Sequence, residues 1–187
     1  IEPGEVELAV PPGAAAPEYQ NIRAVPTGSH TGMLWEQLDY PAYLRKNGRL
    51  GLCTCNVIPL SGFRGIAVVH DVCYRARPDF YTAPRARLSA AWHRMQYRVI
   101  ARTCSRIVTV SRFSGHELEK YYGVSPDRVT VIPNAWQHMQ RVEADDGVFA
   151  KWPQLKQGKY YFSMSNLLKN KNFPWALRAA QNKPDAV

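Results

Sequence analysis

The chain has 187 residues, 45% of them hydrophobic and 21% charged, with 24 Lys/Arg against 15 Asp/Glu and a formal net charge of +9. That length is a soft prior for one domain or slightly more, and the balance of apolar and charged residues excludes wholesale disorder, a collagen-like repeat and a coiled coil. No run approaches the roughly 18 consecutive apolar residues of a membrane span, and Ile1 opens the sequence without Met, basic region or apolar signal core, so neither a span nor a signal peptide is expected and the chain reads as an internal portion of a longer polypeptide.

In chain order, Val6 to Val10 (VELAV) predicts a first strand, ended by Pro11, Pro12 and Gly13. Residues 14 to 32, rich in Pro, Gly and Ala, predict loop and extended chain. Met33 to Lys46 predicts a helix broken or restarted at Pro41, and Leu50 to Cys55 the next strand. Gly65 to His70 (GIAVVH) predicts a buried strand. From Pro84 to Arg102 the spacing of Leu88, Trp92, Met95 and Val99 predicts a helix with a narrow apolar stripe against the core. Arg106 to Val110 predicts a strand. Ser111 or Ser114 then caps a helix running to about Tyr122, stopped by Gly123. Val129 to Ile132 is a further strand, residues 135 to 158 an irregular connection, Tyr160 to Met164 (YYFSM) a fresh strand, and a helix starts near Phe173. Strands alternating with helical patterns predict an α/β fold with parallel sheets.

The charge is concentrated in residues 64 to 112, which hold ten Arg, no Lys and only Asp71 and Asp79. Guanidinium groups favour planar oxyanions such as phosphate and carboxylate, so nucleic acid, anionic lipid and a phosphorylated substrate all qualify as partners. At about 100° per residue, Arg87, Arg94 and Arg98 share one line of the helix and Arg102 lies between that line and the apolar stripe. A solvated basic flank and an anion-binding or membrane-surface role are both open readings. Cys53, Cys55, Cys73 and Cys104 have no CxxC spacing and no His at ligand spacing, so reduced cysteines rather than a metal site are expected.

In open parallel sheets ligands bind outside the carboxyl ends of the strands, which singles out His70 with Asp71, Ser111 with Arg112, Asn134, and Ser165 onward. The loop before the last helix carries Lys169 and Lys171, and a helix N-terminus behind a cation suits a phosphate.

The succession GIAVVHDV, RIVTVSRFSGHELEKYYGVSPDRVTVIPNAW and YYFSMSNLLKNKNFPWAL, in order and spacing over about residues 35 to 182, resembles family 4 glycosyltransferases of the GT-B fold, most of all the hexose- or deoxyhexose-transferring members of bacterial surface polysaccharide synthesis. The resemblance implies an acceptor-binding Rossmann-like lobe over residues 1–134 lacking its first strand, a connection over 135–158, and the start of a donor-binding Rossmann-like lobe over 159–187. It implies transfer from a nucleotide-diphosphate sugar to a saccharide or lipid-linked saccharide, with retention of configuration and neither metal nor cofactor. Lys171 falls on the family's donor-diphosphate lysine, with Asn172 following it. Asn166 stands where many members carry Arg, Ser165 where Gly is usual, and His70 falls on the family histidine near the donor sugar. Asp71, Arg75, Ser111 and Arg112 are acceptor-side candidates. The family's acidic pair, spaced Glu-x7-Glu, would lie beyond Val187, so the 187 residues alone are expected to be inactive. A lipid-linked acceptor would explain Arg87, Arg94, Arg98 and Arg102 as a peripheral docking face, at the cytoplasmic side of the plasma membrane. A catalytically silent partner subunit and a basic nucleic-acid-binding module are the competing readings.

Overall fold

The computed structural model describes residues 2–16, 18–155, 160–164 and 169–181. Two compact units make up the chain, Ile1–Pro133 and Asn134–Val187.

In the first unit every described strand pair is parallel. Strand β1 (Glu7–Val10) pairs with β2 (Arg23–Pro26), Glu7 opposite Arg23. Strands β3 (Gly51–Cys53), β4 (Gly65–Val69), β5 (Arg106–Thr109) and β6 (Val129–Val131) form a second sheet in that order. The fold is thus α/β with parallel sheets, as in a Rossmann-like lobe. Strand β2 lies inside the stretch expected to be loop: RAVP is short and ends in Pro, yet β1 supplies a ladder for it. At the start of the four-stranded sheet Gly51 and Gly65 face each other. A Cβ on Gly65 would come within 1.9 Å of the Gly51 carbonyl oxygen, so the close approach of these two backbones needs glycine.

Residues expected to be buried on both faces of β4 are buried on one. Gly65, Ala67 and Val69 point inward with Ile107 and Thr109, while Ile66 shares the opposite, partly exposed face with Leu52. The period-2 alternation of a strand separates these two sets.

The helical stretch after β2 is continuous: α1 (Gly32–Leu34), a π-helical segment (Trp35–Asp39) and α2 (Tyr40–Lys46). The expected break at Pro41 is replaced by this wider turn, in which the Tyr40 N–H reaches back five residues to the Trp35 carbonyl. Two bonds fasten the stretch to the smaller sheet. Tyr43 Oη donates to Glu7 Oε2 at 2.6 Å, and Trp35 Nε1 donates to the Thr27 carbonyl at 2.8 Å.

After β4 come α3 (Cys73–Ala76), a 3-10 turn (Pro78–Phe80) and α4 (Pro84–Thr103). The face that α4 buries is Ala90, Gln96, Tyr97, Ile100 and Ala101. This corrects the expected stripe: Leu88 is 75% and Met95 37% exposed, with Trp92 and Val99 half-buried. The physical reason is fit to the sheet. Ala101 lets the helix axis approach, and the flat Tyr97 ring joins Val69, Ile100, Ile107, Leu118 and Val124 in one buried cluster. Helix α5 (Arg112–Tyr122) begins at its cap Ser111, whose Oγ accepts the Ser114 N–H, and ends at Gly123 in the left-handed region (φ 64°).

The second unit contains a 3-10 turn (Gln137–Arg141), α6 (Gly147–Lys151), a 3-10 turn (Lys169–Lys171) and α7 (Phe173–Gln181). None of its described residues is buried. Tyr160 to Met164, expected to be a strand, is irregular chain. A strand exists only in a hydrogen-bonded ladder, and no strand among the described residues pairs with this one.

Candidate functional site

His70 follows the last residue of β4, and four polar groups hold it and the residue before it. Its main-chain N–H donates to Asn56 Oδ1 at 2.8 Å, its carbonyl accepts from Ser114 Oγ at 2.9 Å, and its ring Nε2 lies 2.8 Å from the Thr54 carbonyl. Because a carbonyl only accepts, Nε2 carries the proton, which leaves Nδ1 as the ring atom for a ligand. Asn56 adopts a left-handed backbone (φ 62°), and its own N–H extends the ladder by donating to the Val68 carbonyl at 3.1 Å. The fourth group lies one residue earlier: buried Thr109 donates its hydroxyl to the Val69 carbonyl at 2.7 Å and so fixes the end of β4 against β5. The peptide and ring of His70 are therefore set by three neighbouring segments of chain.

Asp71 turns the chain into α3, its Oδ1 accepting the Cys73 N–H at 2.8 Å. Behind it stands an aromatic column. Tyr81 stacks on Tyr74 at 4.5 Å, Tyr74 on His93 at 4.3 Å, and Tyr97 meets Tyr122 edge-on at 5.6 Å. Burial raises the Tyr81 and Tyr97 phenols, and the nearby Asp71 carboxylate adds to both shifts. Arg75 lies over the Tyr121 ring at 5.9 Å. Burial also raises the Tyr122 phenol, opposed by the cations of Arg75, Arg98 and Arg94.

Ser111 serves as helix cap, and Arg112, the first residue of α5, is exposed. Ser111 and His70 are joined through Ser114, whose hydroxyl lies 3.0 Å from Ser111 Oγ. Of the four acceptor-side candidates, Asp71 thus adjoins His70 in sequence and Ser111 reaches it through Ser114.

In the second unit Lys171 is exposed in the turn before α7. Asn172 adopts a left-handed backbone (φ 47°), and its carbonyl accepts the Trp175 N–H at 3.0 Å in the first turn of the helix. A cation therefore immediately precedes a helix N-terminus, the arrangement expected for an anion. Ser165 and Asn166 lie outside the described residues.

Thr54 and Asn56 were not singled out from the sequence, and Ser114 only as an alternative cap of α5, not as a partner of His70. An Asn just after a strand is a signal for a left-handed turn, but the bonds of Asn56 and Ser114 to His70 span 14 and 44 residues. Among the described residues no cluster of three or more His, Cys, Asp or Glu is placed to hold a metal ion. The cysteines are free, and burial pushes the Cys53 thiol up to about 12.

Residues 5–136 match the family model of Glycosyltransferase Family 4. The chain belongs to that family. The match covers the parallel sheets, the His70 turn and the cap of α5, which makes glycosyl transfer the functional class of these elements. No curated protein matches the chain. No helix among the described residues is long and apolar enough to cross a membrane.

Proposed function

We propose that the chain is part of a glycosyltransferase that moves a hexose or deoxyhexose from a nucleotide-diphosphate sugar to a saccharide or lipid-linked saccharide acceptor, with retention of configuration. The observation that carries this reading is the His70 turn, a polar side chain fixed at a strand end within the family 4 match. In this reading the first unit takes the acceptor and the second the donor.

Transfer breaks the bond between the anomeric carbon and the diphosphate oxygen and forms a bond from the acceptor oxygen to the same carbon. Retention has the acceptor approach on the face the diphosphate leaves, so the acceptor proton passes to a departing phosphate oxygen. The sugar passes through an oxocarbenium-like state while negative charge grows on the leaving group. Nδ1 of His70 is the catalytic contact, accepting a hydrogen bond from a sugar hydroxyl. Lys171 and the Phe173 N–H that opens α7 stabilise the diphosphate, since Pro174 has no N–H and that of Trp175 is held by Asn172, which shapes the turn, with Asn166 and Ser165 contributing to the same loop. Asp71, Arg75, Ser111 and Arg112 orient the acceptor. The step as written needs neither metal nor cofactor.

The outer face of α4 suits peripheral attachment to an anionic bilayer. Leu88 and Met95 form an exposed apolar ridge, flanked by Arg87, Arg94, Arg98 and Arg102 with no acidic residue on the helix. Apolar side chains enter the interface while the guanidinium groups meet lipid phosphates. This placement favours the cytoplasmic face of the plasma membrane, where anionic lipid and nucleotide sugars are both within reach.

The test is a calorimetric titration of the full-length protein against UDP, GDP, ADP and dTDP, with Lys171→Ala alongside. Selective binding of one diphosphate, weakened by the substitution, is the expected result, with transfer reduced by about 10²-fold or more. Binding of none of the four, or unchanged turnover in Lys171→Ala, refutes the donor assignment.

A further inference from the structure

Between the loop that follows α3 and the first half of α4 lies a cavity of about 370 Å³, lined by Pro78, Tyr81, Thr82, Arg87, Ala90 and Arg94. Arg87 and Arg94 are two turns apart on one line of the helix, and Ala90 between them carries too little side chain to fill the gap. Arg94 is half-buried there, whereas Arg87 reaches it from solvent. On the opposite wall, the stack of Tyr81 on Tyr74 and of Tyr74 on His93 holds the Tyr81 ring. His93 is fixed in turn, with its Nδ1 2.9 Å from the Ser89 carbonyl.

Charge in this cavity is one-sided. No acidic residue lines it. The acid on the adjoining turn, Asp79, is gripped by Arg77 through two bonds of 3.0 and 2.8 Å. The first turn of α4 carries Arg85 and Arg87 and no carboxylate, the reverse of what the positive end of a helix dipole favours. A bound anion relieves both the dipole and the repulsion between the arginines.

We propose that this cavity is a binding site for a single phosphate group, gripped by the guanidinium forks of Arg87 and Arg94, with Thr82 as a neutral donor and Tyr81 as the wall against which the phosphate's substituent lies. A phosphate pairs with two forks through charge-assisted hydrogen bonds that a point charge does not reproduce. The volume exceeds that of one phosphate, leaving room for the group that bears it. A phospholipid headgroup and a soluble phosphorylated saccharide both present this chemistry. The proposal goes beyond the transfer reading and does not depend on it, since the binding is measured without turnover.

The test follows inorganic phosphate by phosphorus NMR line broadening in the presence of the full chain carrying Lys171→Ala, which removes the proposed donor cation, and of the same chain with Arg87→Lys, Arg94→Lys or Arg102→Lys added. Each variant keeps its charge and loses its fork, and circular dichroism verifies that each is folded. The cavity predicts a Kd raised at least about tenfold by Arg87→Lys and by Arg94→Lys, and changed less than about twofold by Arg102→Lys, which is outside it. Equal responses at all three positions would show diffuse attraction and overturn the proposal, as would the absence of broadening. A second arm mixes the chain with phosphatidylcholine vesicles containing phosphatidic acid and adds inorganic phosphate as competitor. Displacement of the vesicles supports a lipid headgroup as the source of the phosphate, and retention of the vesicles alongside inorganic phosphate bound in the cavity supports a soluble one.

Discussion

Ser114, in the first turn of α5, donates its hydroxyl to the carbonyl of His70, while the cap Ser111 holds the Ser114 N–H. One short stretch of chain therefore both starts a helix and fixes the peptide of the proposed catalytic histidine. Ser114→Ala should cost about 1 kcal/mol, the net worth of one hydrogen bond, and should lower kcat more than it raises the donor KM. Urea unfolding and steady-state transfer assays measure the two effects. Full activity in Ser114→Ala would mean that the bond serves stability alone.

Gly65→Ala tests the paired glycines that open the sheet. The added Cβ meets the Gly51 carbonyl, a backbone atom that cannot rotate away, so the strands must separate where β3 and β4 first pair. We expect a loss of about 3 kcal/mol, at the upper end of overpacking costs, read as a lower urea midpoint. A variant as stable as the parent would show that the strands meet at a wider spacing.

Acid sensitivity is expected from Asp39. Its carboxylate accepts the N–H groups of His30 and Ser29, each at 2.8 Å, and these bonds, with that of His30 the largest, hold its pKa below the ordinary value. A depressed folded pKa gives stability that is present above the unfolded carboxylate pKa and lost as pH falls through the folded one. Asp39→Asn should therefore be less stable than the parent at neutral pH, with the gap closing in acid. Urea midpoints for both proteins across that range decide it, and a gap independent of pH would exclude this linkage.

For the membrane reading, Leu88→Gln combined with Arg98→Glu removes apolar and cationic contacts from the outer face of α4 without touching its buried residues. Co-sedimentation with anionic vesicles should fall at least about fivefold, since one charge near such a surface is worth about 1 kcal/mol and the reversal counts twice. Transfer to a soluble acceptor should fall less. Unchanged sedimentation would take this helix off the docking surface.

Helix α5 was legible in the sequence because its signals are local: a serine in front, a left-handed glycine behind. The parallel order of β4, β5 and β6 was legible from apolar runs separated by helical patterns. Helix α4 was legible as a helix but not in its orientation. The periodicity of Leu88, Trp92, Met95 and Val99 marks an apolar stripe, but nothing in a period says which stripe the sheet receives. Tyr97, flanked by Ala90 and Ala101, won that place by shape. At the candidate site, His70, Asp71 and Ser111 stood out as residues ending strands. Asn56 and Ser114 did not, because their role is fixed by a partner distant in sequence. Gln96 belongs with them: it is fully buried, and its Oε1 accepts the Ile58 N–H at 3.2 Å.

The wide turn at Trp35–Asp39 amounts to one residue more than an α-helix needs for the same path. Shortening the chain there by one would regularise the helix locally and swing everything beyond it by about 100° relative to what precedes it. Tyr43 would then leave Glu7, and Leu44 would leave the core that it enters beside Phe63. The irregularity acts as a phase adjuster, keeping the tie to the small sheet on one side of it and the packing against the large sheet on the other in register, so natural variants should lose a residue from the adjoining loops before they lose one here.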